Sequence, residues 1–313
     1  MYLPLLKTIG GIVLLTVGAE LLVSASVSLS RRVGLSPLII GLTVVSLGTS
    51  MPELVVSFGA VLRGTEALGV GNVVGSNISN IALILGLAAL VRPLRVEAQV
   101  IRLDAPILVG VSVVFVGLIL DGKLSRWEGG MLTAGVLGYF IYSVWATQGS
   151  ASVVQQEFSE GLPSQHGMAR DLGFVALGIG GLVAGADLLV QGAVHVAHML
   201  SLPNMVVGLT VVAVGTSLPE LATSVLAAYR GNGDIAIGNA LGSCILNLLG
   251  ILGLTAAIFP LSTVGLTSLE LGLMIGVAVL LVPLLRSDFL LSRQEGSLLL
   301  IVYAGYLWLL FGG

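Results

Sequence analysis

Charged residues are what this 313-residue chain has least of: Asp, Glu, Lys and Arg make up 9% of it, against about 25% in an ordinary soluble domain. With 56% hydrophobic residues, that scarcity excludes a soluble fold and points to an integral membrane protein. Cysteine is nearly absent too. Cys244 stands alone, so no intramolecular disulfide can form, and it reads as a small packing residue. The 13 basic residues are scattered and the formal charge is −3, which leaves no nucleic-acid footprint and no acidic or basic partner. His195 and His198 are three apart, but no third ligand stands near them, so a transition-metal site is not expected. No apolar run alternates with period two, which excludes transmembrane β-strands.

What the chain has in abundance is glycine, 43 in all, and apolar runs of about 20 residues, the length of a membrane span. Ten such runs are predicted, at approximately 5–28, 36–62, 67–91, 105–120, 127–147, 171–199, 204–229, 235–259, 265–285 and 296–312. They leave no room for a soluble catalytic domain. Small residues at this density suit closely packed membrane helices.

The passage 41–87 recurs at 208–254, 167 positions later, with 25 of 47 positions identical. Gly18-Ala19-Glu20-Leu21-Leu22-Val23 matches Gly185-Ala186-Asp187-Leu188-Leu189-Val190 at the same offset. The first span is therefore expected to be a structural element rather than a cleaved signal. An offset of one repeat covers five spans. Five is odd, so the copies must cross the membrane in opposite senses, the inverted plan of many secondary transporters. The expected organisation is a first five-helix repeat over 1–147, a connector over 148–170 and a second repeat over 171–313. Nine arginines fall in loops on one face (31, 32, 92, 95, 102, 170, 230, 286 and 293). Lys7, Arg63, Lys123 and Arg126 fall on the other. The positive-inside rule makes the first face cytoplasmic and puts both termini outside a cell membrane.

Each repeat places a glutamate in an apolar span. Gly48-Thr49-Ser50-Met51-Pro52-Glu53 is mirrored by Gly215-Thr216-Ser217-Leu218-Pro219-Glu220. A carboxylate in hydrocarbon costs several kcal/mol unless compensated, which marks Glu53 and Glu220 as functional. Proline lacks an N–H, so Pro52 and Pro219 are expected to break their helices and free the carbonyls of Gly48 and Gly215. Ser46, Thr49, Ser50 and Glu53 share a helical face. Beside freed carbonyls they form a stripe of oxygen atoms, the ligand type of a hard cation. Asn72, Ser76 and Asn80, spaced by four, form a second polar face around Gly75, mirrored by Asn239, Gly242, Ser243 and Asn247. Taken singly, Ser, Thr and Asn in membrane helices ordinarily bond backbone or a neighbouring helix.

These two motifs, GTSxPE followed by GNxxGS, resemble the α-repeats of the calcium/cation antiporter superfamily, most closely a prokaryotic sodium/calcium exchanger. The resemblance spans essentially the whole chain. It implies an all-α integral membrane fold of ten transmembrane helices in two inverted five-helix repeats, with spans two, three, seven and eight around four cation sites. It implies ligands Ser46 (carbonyl), Thr49, Ser50, Glu53, Ser76 and Asn80. Their counterparts are Ala213 (carbonyl), Thr216, Ser217, Glu220, Ser243 and Asn247. Spans one and six would slide to alternate access. No cofactor is implied: the partners are transported Na+ and Ca2+ and the lipid bilayer, with no obligate protein partner evident. Asn247 stands where potassium-dependent relatives carry Asp, and neither repeat has the Gly-Asn-x-x-Glu pattern of proton-coupled relatives. Both departures favour sodium, with proton-coupled or potassium-dependent exchange as the alternative. A channel would need rings of charge. An intramembrane hydrolase would need a nucleophile with a base or a metal triad, and no histidine lies in either motif.

Glu20 and Asp187 occupy equivalent places in spans one and six. They either sense gating as part of the sliding pair or sit near an interface bonded to backbone or arginine. Asp104, before Ala105-Pro106, and Asp234 read as helix-start caps.

Overall fold

In the computed structural model, residues 2–62, 64–148, 167–199, 213–264 and 266–312 are described. They are almost entirely helical. We number the helices in chain order: α1 (Tyr2–Val33), α2 (Pro37–Thr49 and Met51–Leu62), α3 (Glu66–Val91), α4 (Val100–Asp121), α5 (Arg126–Gln148), α6 (Met168–Met199), α7 (Ala213–Thr216 and Leu218–Tyr229), α8 (Gly233–Ile258), α9 (Ser268–Arg286) and α10 (Arg293–Gly312). Six helices among the described residues are long and apolar enough to cross a membrane, or seven if the two parts of α2 form one span. The chain is thus a multi-pass membrane protein. Most of the 148–170 connector, the start of the predicted seventh span and Arg63 lie outside the described residues, as do the side chains of His195 and His198.

The proline motifs break the helices as their chemistry requires. The two parts of α2 meet at 44°. Ser50 leaves helical geometry at φ −82°, ψ 7°, and Ser217 in α7 does the same at φ −86°, ψ 3°. Pro219 then occupies the first turn of the next helix, where its missing N–H is harmless. Wide π-helical turns run over Gly41–Val45, Asn80–Leu85 and Leu246–Leu252. Such turns loosen the regular ladder of backbone bonds and recur at functional sites.

Two expectations fail. Asp104 caps nothing: it lies inside continuous helix, fully buried, and accepts a hydrogen bond from Tyr139 Oη at 3.0 Å. The helix extends upstream of it because the Val100–Asp104 turn joins it without a break. Asp234 sits within the first turn of α8, whose cap position is Asn232. There a carboxylate still favours the positive end of the helix dipole.

Contacts recur under the exchange of position n with n+167. Leu94–Arg95 pairs with Leu290–Leu291, and Lys123–Leu124 pairs with Leu261–Ser262. Adding 167 to the first member of each ladder produces a member of the other. α1 and α6 lie against each other in the same fashion. A Cβ at Gly11 would lie 2.8 Å from Gly185 O, and one at Gly18 would lie 2.8 Å from Gly178 O. Only glycine lets the two backbones approach so closely. α3 and α8 are the most enclosed of the candidate spans. A Cβ at Gly242 of α8 would meet Leu42 O at 2.6 Å, so the first part of α2 rests directly on α8.

Candidate functional site

The broken helices α2 and α7 bring their hydroxyls and carboxylates to the polar faces of α3 and α8. Ser50 Oγ donates to Glu220 Oε1 at 3.0 Å and also lies 3.1 Å from Ser243 Oγ. The image contacts are Ser217 Oγ to Glu53 Oε1 at 3.5 Å and to Ser76 Oγ at 3.4 Å. Ser76 Oγ reaches Glu53 Oε1 at 3.5 Å. Each glutamate is therefore held by a serine of the other repeat, in two clusters that are images of each other. Glu53 is 1% exposed and Glu220 fully buried.

Further contacts hold the network in place. Thr49 Oγ1 donates to Asn239 Oδ1 at 3.0 Å, and Thr216 Oγ1 to Asn72 Oδ1 at 3.4 Å. Asn239 Nδ2 in turn reaches Ser224 Oγ at 2.9 Å and Glu220 O at 3.4 Å. Where the repeats meet, Asn77 Nδ2 donates to Cys244 O at 3.1 Å and Cys244 Sγ approaches Asn77 O at 3.7 Å. Positions 77 and 244 are each other's counterparts, so this contact is its own image. Asn247 Nδ2 donates to Asn77 Oδ1 at 3.0 Å.

Four acceptor oxygens of the two motifs, all buried, have no hydrogen-bond partner: Glu53 Oε2, Glu220 Oε2, Asn80 Oδ1 and Asn247 Oδ1. They form two equivalent pairs, one from each motif of each repeat. A buried acceptor left without a partner costs about 1–3 kcal/mol, and more when charged. A cation bound through oxygen would compensate that cost. Ser46 is placed one turn ahead, where its carbonyl already accepts from Ser50 N at 3.0 Å and Thr49 Oγ1 at 3.4 Å. Ala213 begins the short helix Ala213–Thr216 at the equivalent place. Among the described residues no three Asp, Glu, His or Cys side chains gather to hold a metal. The set is two acids with neutral oxygens, which suits hard, exchangeable ions rather than a resident transition metal.

Sequence reasoning did not foresee how Asn72, Asn77 and Asn239 act: they orient the threonines and join the repeats. The one available signal was recurrence, since Asn72 and Asn239 match under the 167-residue offset. Asn77 faces Cys244 at its counterpart position, so no repeat match marks it.

The family described as sodium/calcium exchanger protein matches residues 4–148 and 171–312. The chain is similar to the sodium/calcium exchanger MaX1 of Methanosarcina acetivorans, 32% identical over 96% of each chain. It is also similar to the inner membrane protein YrbG of Escherichia coli, 41% identical over 80% of this chain and 78% of the relative. Among solved structures it resembles the sodium-calcium exchanger NCX_Mj soaked with zero Na+ and Ca2+. There the TM-score is 0.83 and the identity 29%, over 97% of both chains.

Proposed function

The chain belongs to the sodium/calcium exchanger protein family, and on that premise we propose that it exchanges Na+ for Ca2+ across the membrane by alternating access. In this reading ten spans form two inverted halves related by a pseudo-two-fold axis passing near Asn77 and Cys244. Ions bind at that axis through Ser46, Thr49, Ser50, Glu53, Ser76 and Asn80 and their counterparts Ala213, Thr216, Ser217, Glu220, Ser243 and Asn247. The observation that carries it is the set of four unpartnered oxygens on two buried glutamates and two buried asparagines.

The electrostatics suit antiport. Two carboxylates carry −2, which one Ca2+ or two Na+ neutralises; the neutral oxygens offer room for a third Na+. Ca2+ and Na+ both prefer oxygen, so one cavity serves them in competition. An empty site would drag uncompensated charge through a dry barrier, so α1 and α6 cross only over an occupied one. Exchange of three Na+ for one Ca2+ moves one net charge. The driving force then responds to membrane potential by about 2.3 kcal/mol per 100 mV. The nine-to-four bias of basic residues orients both termini outward.

Purified protein in liposomes, given sodium, potassium and proton gradients one at a time, tests this reading. Calcium uptake is expected to follow the sodium gradient. Uptake driven by protons or potassium alone would replace sodium as the coupling ion, and flux insensitive to any counter-ion would make the protein a channel.

A further inference from the structure

Exchange of n with n+167 maps Asn77 onto Cys244 and Asn80 onto Asn247. All four residues are buried, none more than 1% exposed. They lie on α3 and α8 around the starts of the wide turns Asn80–Leu85 and Leu246–Leu252. Their positions are symmetric. Their chemistry is not.

Asn77 bridges two points of α8. Its Nδ2 donates to Cys244 O at 3.1 Å, and its Oδ1 accepts from Asn247 Nδ2 at 3.0 Å. The direction of this chain is set from one end. A backbone carbonyl can only accept, so Asn77 must turn its amide nitrogen toward Cys244 and its oxygen toward Asn247. That oxygen can only accept as well, so Asn247 must offer its own nitrogen in return. What is left over is Asn247 Oδ1, buried and without a partner. Turning the Asn247 amide end for end would set oxygen against oxygen where the 3.0 Å hydrogen bond now stands.

The image of this chain is weaker by composition. Cys244 Sγ approaches Asn77 O at 3.7 Å, the counterpart of the Asn77–Cys244 bond. The Asn80 side chain stands beside the Cys244 thiol, the counterpart of the Asn77–Asn247 bond. A thiol has no carbonyl oxygen, and its sulfur is a weak acceptor. Asn80 therefore receives from position 244 much less than Asn247 receives from position 77. The difference lies in the residue types themselves, on helices whose residues are all described.

We propose that Asn77 is a positioning residue for ion binding: it holds Asn247 with the carbonyl oxygen, and not the amide nitrogen, free for the ion, so that the two neutral amide ligands are held unequally. The argument rests on the reading of Asn80 and Asn247 as ion ligands above. A hard cation takes oxygen and is repelled by amide hydrogens. Apparent affinity scales with the fraction of molecules in the binding arrangement. One hydrogen bond between neutral groups biases such a choice by about 2- to 13-fold.

The test is a double-mutant cycle between positions 77 and 247. It is read by equilibrium ⁴⁵Ca binding and by the calcium-induced rise in melting temperature of the purified protein. Asn77→Cys, which makes the two repeats alike at this position, is expected to weaken calcium binding about 2- to 13-fold. In an Asn247→Ala background there is no oxygen left to orient, and the same substitution is expected to change affinity by less than about 2-fold. In an Asn80→Ala background its full effect should persist. Equal weakening in all three backgrounds is what a purely structural role would produce. That result, or unchanged affinity in Asn77→Cys alone, overturns the proposal. Melting in chelator reports folding separately, and should Asn77→Cys not fold, Asn77→Ser carries the same cycle. If the unaltered protein binds calcium and the cycle shows no coupling, only the role of Asn77 fails. If the unaltered protein binds no calcium, the exchange reading fails and this role with it.

Discussion

Replacing Glu220 by glutamine tests the site most severely, because it separates binding from folding. Glutamine keeps the shape of the side chain, and its carbonyl can still accept from Ser50 Oγ, now 3.0 Å from Glu220 Oε1. What changes is the other terminal atom. Oε2, a buried acceptor without a partner, becomes an amide donor, and one of two negative charges disappears. Removing one partner of a buried charge pair costs about 3–5 kcal/mol. Calcium affinity should therefore fall about 10²- to 10³-fold or more, since 1.4 kcal/mol is tenfold. Without ions the effect reverses: a fully buried, uncompensated carboxylate destabilises the fold, and neutralising it should stabilise by about 1–3 kcal/mol. The assay is thermal unfolding in detergent, with and without calcium, alongside ⁴⁵Ca uptake into sodium-loaded vesicles. Unaltered protein should gain about 2.7 kcal/mol at calcium a hundredfold above Kd. Glu220→Gln should melt higher in chelator, gain nothing from calcium and show no uptake. A preserved calcium-induced gain, or a lower melting temperature in chelator, would refute the reasoning. Glu53→Gln should behave alike.

Three further outcomes are expected. Ser50→Ala should weaken calcium binding about 10- to 150-fold, as hydrogen bonds to charged groups are worth about 1.5–3 kcal/mol. Ser217→Ala should weaken it less, because its contacts at 3.4 and 3.5 Å are longer than those of Ser50 at 3.0 and 3.1 Å; equilibrium ⁴⁵Ca binding ranks the two. Gly18→Leu should separate α1 from α6 and lower the melting temperature, since a Cβ there meets Leu182 N at 2.7 Å, whereas Gly110→Ala, with open space around it, should not. Burial, and then the nearby Asp234 and Asp104, push the Glu97 carboxyl in the loop before α4 up to about 7 from 4.5. The folded protein therefore binds more protons than the unfolded chain between those values. Its stability should fall as pH rises from about 4.5 to 7, by up to about 3 kcal/mol, and Glu97→Gln should flatten that part of the melting profile.

Much of the candidate site was legible in the sequence because duplication writes its residues twice. The two glutamates, their prolines and the polar faces of α3 and α8 all recur at one offset, and buried charge in an apolar span has few structural explanations. Asp104 and Asp234 were misread because a polar residue before an apolar run looks like a cap whether or not the helix continues through it. Asp104 is bonded by Tyr139, 35 positions away, a contact that local spacing cannot express.

Composition, span length and the repeat by themselves determined a membrane protein of two related halves with an acid in each, since these follow from transfer energies and periodicity along the chain. Tertiary structure alone decided that Ser50 serves Glu220 and Ser217 serves Glu53, and that four oxygens are left without partners. It alone decided that Glu20 of α1 is joined to Arg230 at the end of α7. Two closely similar motifs carry similar local preferences. Which partners they meet depends on how the two repeats pack against each other.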